Sequence, residues 1–161
     1  GALKAFRGVG RRFERLGETH GVIVIDDYAH HPTEIQASLR AARSMFPDRR
    51  LVAAFQPHLF SRTRDFASDF GAALSAADVT WVTDIFPARE LPIPGITGHT
   101  IVEAVEAFGQ NQVHYVEALA DLPEALADDL DEGDVLVTIG AGSIESVGAR
   151  VLELLGARVH A

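Results

Sequence analysis

Two strings of residues concentrate the groups able to do chemistry. The first, Asp26-Asp-Tyr-Ala-His-His-Pro-Thr-Glu34, carries three carboxylates, a phenol and two imidazoles in nine positions. Pro32 suits the first turn of a helix, with His31 at the cap position and Glu34 where the helix dipole favours an anion. Polar groups thus gather at a helix N-terminus, a natural place for an anion or a hydroxyl-rich ligand. Capping within a satisfied surface cluster would account for the same residues. Adjacent histidines on a turning backbone rarely aim both rings at one ion, and the i,i+4 helical spacing of histidine ligands is absent, so no metal site is expected.

The second string is Phe55-Gln-Pro-His-Leu-Phe-Ser-Arg-Thr-Arg-Asp65. Ser61 is expected to cap a helix, which leaves Arg62 in a first turn where the dipole disfavours a cation. A bound carboxylate, a bound phosphate or a partner such as Asp65 would each justify an arginine there. The planar fork of the guanidinium suits a carboxylate, and lysine would not replace it geometrically. Arg11 and Arg12 alternate, so at most one of them is expected to share a pocket with these strings. Near the C-terminus, Gly140-Ala-Gly142 permits close backbone approach to a ligand, or serves a plain tight turn. No Gly-x-x-x-x-Gly-Lys-Ser/Thr string occurs, so the chain has no phosphate loop of its own.

The elements that must position these groups are legible as short apolar runs. Gly21-Val-Ile-Val-Ile25, Leu51-Val-Ala-Ala-Phe55, Val79-Thr-Trp-Val-Thr83, Val113-His-Tyr-Val116 and Asp134-Val-Leu-Val-Thr-Ile139 read as buried strands. Helical periodicity fills the intervals, at about 32–46, 61–77, 100–108, 122–130 and 144–155. Alternation of strands and helices predicts an α/β domain of three layers, with a mostly parallel sheet covered on both faces. Arg11 to Glu18 alternates more loosely, and Thr19-His-Gly21 follows as a turn. An N-terminal antiparallel hairpin adding an edge strand is therefore expected. The stretch from Asp84 to Gly95 contains three prolines and is predicted to be a surface loop. In such sheets ligands bind beyond the carboxyl ends of the strands, where both chemical strings lie.

Composition narrows the function classes. The chain of 161 residues fits one domain, without a cysteine framework, thiol nucleophile or cysteine-ligated metal. No apolar run approaches the length of a membrane span. The net charge of -9 argues against nonspecific nucleic-acid binding. It is unevenly spread: residues 1–64 hold 11 Lys and Arg against 6 Asp and Glu, whereas residues 65–161 hold 3 against 17. A compact anion is therefore expected to bind at the first part.

Together the two strings resemble the C-terminal domain of the Mur ligases of bacterial peptidoglycan synthesis, of the kind that attach L-alanine to UDP-N-acetylmuramate. Arg-Arg-Phe-Glu at 11–14, Pro-Ala-Arg-Glu at 87–90, Pro-Ile-Pro-Gly at 92–95 and Gly-Ala-Gly at 140–142 add to the resemblance, which spans the chain. It implies a Rossmann-like fold and a cytoplasmic, ATP-dependent, amide-forming ligase that serves the cell wall, cell shape and cell division. Residues 1–161 would form its single C-terminal, amino-acid-binding domain. The UDP-sugar domain and the central ATPase domain would be its partners within the same enzyme, and the start at Gly1 without an initiator methionine fits a piece of that kind.

The resemblance further implies that ATP makes an acyl phosphate on the lactyl carboxylate of UDP-N-acetylmuramate, which the amine of L-alanine then attacks. ATP and Mg would be held mainly by the central domain. Arg12 and Asp27 correspond to ATP-binding residues, the first toward phosphate and the second toward the ribose. Tyr28, His30, His58 and Arg62 correspond to residues around L-alanine, with Arg62 on its carboxylate. No catalytic residue and no metal ligand is assigned to this domain, which alone would be inactive. Leu59 stands where some members carry a second arginine, and Ser143 where an acidic residue is expected.

Other classes fit less well. Asp26, Asp27 and Asp84 imitate the acidic layout of a phosphorylation receiver. A receiver needs a lysine after its last strand, however, and the only lysine here is Lys4. A free-standing nucleotide-binding or structural α/β module is the remaining alternative.

Overall fold

The structure, a computed structural model, describes residues 12–110 and 112–159. Six strands form one sheet: β1 (Glu14–Thr19), β2 (Val22–Asp27), β3 (Leu51–Phe55), β4 (Val79–Thr83), β5 (Val113–Val116) and β6 (Val135–Ile139). Their order is β1-β2-β6-β3-β4-β5. β1 pairs antiparallel with β2, and every other pairing is parallel. The fold is thus the expected α/β domain with a mostly parallel sheet and an N-terminal hairpin. Thr19 pairs with Val22 across a loop of His20 and Gly21. Both loop residues have positive φ, 56° and 77°, the two-residue turn whose twist matches a hairpin. Arg11, expected in this hairpin, lies outside the described residues.

Among the described residues six helices cover the sheet: α1 (Pro32–Met45), α2 (Phe60–Asp65), α3 (Ala67–Leu74), α4 (Gly98–Ala107), α5 (Leu122–Asp129) and α6 (Val147–Val159). Side chains of a strand alternate between faces, and the core divides accordingly. Ile23, Ile25, Ala53, Phe55, Val137 and Ile139 pack beneath α1, α3 and α4 with Ile35, Leu39, Phe70 and Ile101. Val22, Val24, Val52, Ala54 and Leu136 pack on the other face with Leu122 and Leu126 of α5 and Val147 and Val151 of α6. The continuous apolar runs of the sequence are therefore central strands buried on both sides.

Two boundaries depart from the sequence reading. The single helix expected over 61–77 is two, α2 and α3. The break falls at Phe66, whose backbone leaves the helical region at φ -118° and ψ 18°. Its ring stands edge-on to His31 at 6.3 Å instead of following the helix into the core. The last helix starts at Val147, because Ser143–Ser146 forms a tighter 3-10 turn first. The stretch after β4 is a loop as predicted, although Ile85 within it is buried.

Close approach of α3 to α4 rests on Gly71. A Cβ there would stand 2.5 Å from the backbone oxygen of Ala104. Alanine would gain about 1 kcal/mol of helix propensity over glycine. Overpacking against a backbone that cannot swing aside costs about 1–3 kcal/mol, so the clash prevails. Gly71→Ala is expected to lower stability by up to about 2 kcal/mol, read as an earlier urea midpoint with an unchanged slope.

Candidate functional site

β6 lies between β2 and β3, and its helix leaves to the face opposite α1. The carboxyl ends of these three strands consequently form a switch point, where the loops after them diverge and leave a crevice. Backbone bonds tie the loops together: Gly140 N donates to Asp27 O at 3.1 Å, and Gln56 N donates to Ile139 O at 3.0 Å. Gln56 is itself buried. Its Oε1 accepts from Ile144 N at 3.1 Å and its Nε2 donates to Ser143 Oγ at 3.2 Å. Beside the two roles open to the glycine pair, ligand approach or a plain turn, the structure displays a third, close packing of the protein itself. A Cβ on Gly142 would stand 2.7 Å from Phe86 and 2.8 Å from Gln56 Oε1, and one on Gly140 2.8 Å from Ile144.

Rings and cations line up across the mouth of the crevice. Tyr28 meets His30 edge-on at 5.4 Å, His30 faces His58 at 6.1 Å, and His58 stacks on Phe86 at 5.7 Å. Arg62 Nη1 lies 3.1 Å from His58 Nδ1, a contact in which the guanidinium donates and the imidazole nitrogen must carry its lone pair. Burial lowers the His58 pKa most, the Arg62 guanidinium beside it lowers it further and His30 acts in the same direction, against an opposing effect of Glu90. His58 is thereby favoured as the neutral ring. Tyr28, His30, His58 and Arg62 thus form one connected row.

Arg62 occupies the first turn of α2, as expected, and Asp65, the alternative partner, is engaged elsewhere. Asp65 pairs with Arg64 at 2.8 Å, and among the described residues no carboxylate pairs with Arg62. Ser61 does not cap α2. The helix begins one residue earlier, with Leu59 at the cap position, and the Ser61 backbone N–H and hydroxyl both donate to Glu90 of the proline-rich loop.

Asp27 is only 4% exposed. One of its oxygens accepts from Ala29 N at 2.9 Å, a short turn that fixes the carboxylate at the end of β2. Asp26 faces the other way and accepts from Thr138 Oγ1 at 2.7 Å. Glu34 joins the two halves of the site. Its carboxylate accepts from His30 N at 3.2 Å and His31 N at 3.0 Å, and pairs with Arg12 at 3.1 Å. Burial opposes ionisation of Glu34, but the two backbone donors together with His30 and Arg12 prevail and hold its pKa below the usual value. The α1 N-terminus, read from sequence as a natural anion site, is therefore filled by the protein's own carboxylate. Arg12 remains 55% exposed at the edge. Beyond His31 and Glu34 a groove of about 710 Å³ runs between α1 and α3, lined also by Pro32, Gln36, Phe66 and Asp69. It adjoins the row of rings without including it.

Among the described residues no group of three or more His, Asp or Glu side chains is arranged to hold a metal ion, and no helix is long and apolar enough to cross a membrane. Three participants escaped the sequence reading: Gln56, Phe86 and Glu90. Gln56 and Glu90 were within quoted strings but had no assigned role. Phe86 and Glu90 belong to a loop whose length for a compact domain was the available signal.

A mostly parallel sheet with a switch point between β2, β6 and β3, and a histidine–arginine row beside it, places the chain among the doubly wound α/β domains. A family model described as Mur ligase, glutamate ligase domain, matches residues 11–142. The chain belongs to this family. It is 50% identical over 95% of its length to the UDP-N-acetylmuramate--L-alanine ligase of Salinibacter ruber, and 51% identical over 95% to the ligase of the same name from Cutibacterium acnes. The chain spans 32% of each of these curated relatives. The crystal structure of the UDP-N-acetylmuramate-alanine ligase of Thermotoga maritima matches with a TM-score of 0.77 at 31% identity, over 98% of this chain and 32% of that one.

Replacement of Arg62 by Gln is expected to raise the His58 pKa part of the way to its ordinary value, burial and His30 maintaining the remainder. A histidine with a depressed folded pKa contributes stability that is full above its unfolded value, about 6.5, and is lost as pH falls toward the folded one. Arg62→Gln should therefore make the stability of the domain less sensitive to acid below about pH 6.5. Titration of the His58 ring by NMR, with urea midpoints measured in parallel, checks both effects.

Proposed function

We propose that this chain is the C-terminal domain of a cytoplasmic, ATP-dependent ligase that joins L-alanine to UDP-N-acetylmuramate in peptidoglycan synthesis. The observation that carries the reading is Arg62, a half-buried guanidinium left without a carboxylate partner among the described residues and steadied by His58. A bidentate fork in that setting matches the carboxylate of a free amino acid, and the names of the relatives supply which amino acid.

In this reading Arg62 grips the alanine carboxylate, while Tyr28, His30 and His58 surround the rest of the molecule. Neutral His58 places no second positive charge beside an amine that must be unprotonated to attack. Asp27, rigid at the end of β2, accepts from ribose hydroxyls, and Arg12 releases Glu34 in part to meet phosphate. The acyl phosphate forms on the lactyl carboxylate in the remainder of the enzyme, which holds ATP and Mg. The residues described here fit a domain that presents the nucleophile, not one that anchors a triphosphate or a metal.

Two outcomes are expected. The chain by itself is catalytically silent and binds ATP weakly, because Arg12 and Asp27 offer only a few contacts of roughly 0.5–3 kcal/mol each. Submicromolar ATP affinity by calorimetry would contradict this. In the intact enzyme, Arg62→Ala should cost about 2–4 kcal/mol, seen as a 30- to 1000-fold rise in the alanine KM with little change for ATP. Arg62→Lys should recover only part of the loss, and Asp27→Asn should show its defect chiefly in the ATP KM. An unchanged alanine KM in Arg62→Ala would sink the reading.

A further inference from the structure

The loop after β4 is bound to the loop after β3 at several points. His58 bridges Phe86 in parallel register, Leu59 N donates to Phe86 O at 3.0 Å, and Phe86 N donates to Pro57 O at 2.8 Å. Phe86 then stacks on the His58 ring. Beyond this ladder the chain turns tightly, with Glu90 N donating to Pro87 O at 2.9 Å and Ala88 at φ 54°. The turn delivers the Glu90 carboxylate to the start of α2, where it accepts from the Ser61 hydroxyl, from Ser61 N at 3.1 Å and from Phe60 N. The Ser61 hydroxyl contributes most to holding the Glu90 pKa below its ordinary value; desolvation opposes it, and the backbone donors of Ser61 and Phe60 together with Arg64 act with the hydroxyl.

Leu59, which separates His58 from the helix, has φ 71° and ψ 136°. A side chain with a Cβ rarely adopts that conformation, and it persists only where the surroundings enforce it. The enforcing contacts are visible on both sides: the backbone ladder to Phe86 before it and the Glu90 cap after it. The bend at Leu59 is also what lets His58 and Arg62, four positions apart, meet across the helix start at 3.1 Å. Loosen the cap, and the first turn of α2 is free to relax toward an ordinary backbone, carrying Arg62 away from His58.

We infer that Glu90 is a positioning residue for the amino-acid subsite: it caps α2 from another loop and so sets the angle at which Arg62 presents its fork beside His58. Nothing in this role requires Glu90 to touch substrate. The inference deepens the ligase reading and rests on Arg62 receiving a carboxylate.

Glu90→Ala and the isosteric Glu90→Gln, which keeps the loop filled, are made in the intact enzyme, with Arg62→Ala alongside. Amide exchange at Phe60 and Ser61 is followed by NMR in this chain. Loss of a cap of this kind corresponds to roughly a 3- to 30-fold effect. Exchange at both amides should accelerate by that factor, and the alanine KM should rise by a similar factor, more in Glu90→Ala than in Glu90→Gln. The ATP KM and kcat should stay within about twofold of the parent enzyme. If Arg62→Ala raises the alanine KM while both Glu90 variants leave it unchanged, the positioning role is overturned and the carboxylate site stands. Should Arg62→Ala also leave it unchanged, the site reading and the inference fall together. Unaltered exchange at Phe60 and Ser61 in Glu90→Ala would overturn the inference by itself.

Discussion

Everything at the site depends on the last strand of the sheet entering between the first two parallel ones. β6 pairs with β2 on one side and β3 on the other, each in full register over five residues. That insertion sends α1 and α6 to opposite faces and opens the crevice at the carboxyl ends. It also makes the two chemical strings neighbours: Asp27 is bonded to Gly140 and Gln56 to Ile139 through backbone groups. Tyr28, His30, His58 and Arg62 come together only because the third strand end between them holds both loops at a fixed spacing. The glycines of β6's loop are small to let Gln56 and Phe86 approach, so the scaffold carries the demand that in many nucleotide-binding domains comes from a phosphate.

The electrostatics of the crevice follow a division of labour between carboxylates and cations. Two helices begin there, and at the start of each some backbone N–H groups are met by a protein carboxylate, Glu34 at α1 and Glu90 at α2. A helix N-terminus is ordinarily an attractive place for an anion. Here both are taken, so an incoming carboxylate has to be recognised by a side chain whose geometry is specific. In the proposed reading Arg62 serves that purpose, beside a neighbour whose burial favours its neutral form. A bare helix end would accept any small anion, whereas a fork fixed beside an imidazole discriminates by shape and direction.

Strands and their faces were legible in the sequence because burial on both sides leaves continuous β-branched runs, a signal that local composition carries directly. The antiparallel hairpin was equally legible, from looser alternation and a His-Gly turn. What the sequence did not display was where loops touch. Ser61 has the residue type of a cap, yet a carboxylate 29 positions away takes the helix start and recruits the Ser61 hydroxyl as its donor. Asp65 sits at helical spacing from Arg62 but turns to Arg64, its immediate neighbour. The Ser61 expectation and the Asp65 alternative alike treated a helix as if its own residues had to satisfy it. Phe66 broke a helix that periodicity had run straight through, since an aromatic at the right spacing cannot declare whether it packs inward or against a ring on the next loop. The motif residues themselves were conspicuous in type, whereas their geometry depended on Gln56, Phe86 and Glu90, whose types are unremarkable for a loop.

The two outermost strands bear on a different property of the molecule. β5 is four residues long, and β1 has a register irregularity between Arg15 and Gly17 and presents Glu14, Arg15 and Glu18 along an exposed border. Among the described residues neither outer border is paired. A short strand offers few free backbone groups to a passing copy, while a bulged and charged one twists away and repels it. The hydrophobic central strands can therefore be as uninterrupted as the core requires while the described borders of the sheet discourage sideways pairing with a second molecule.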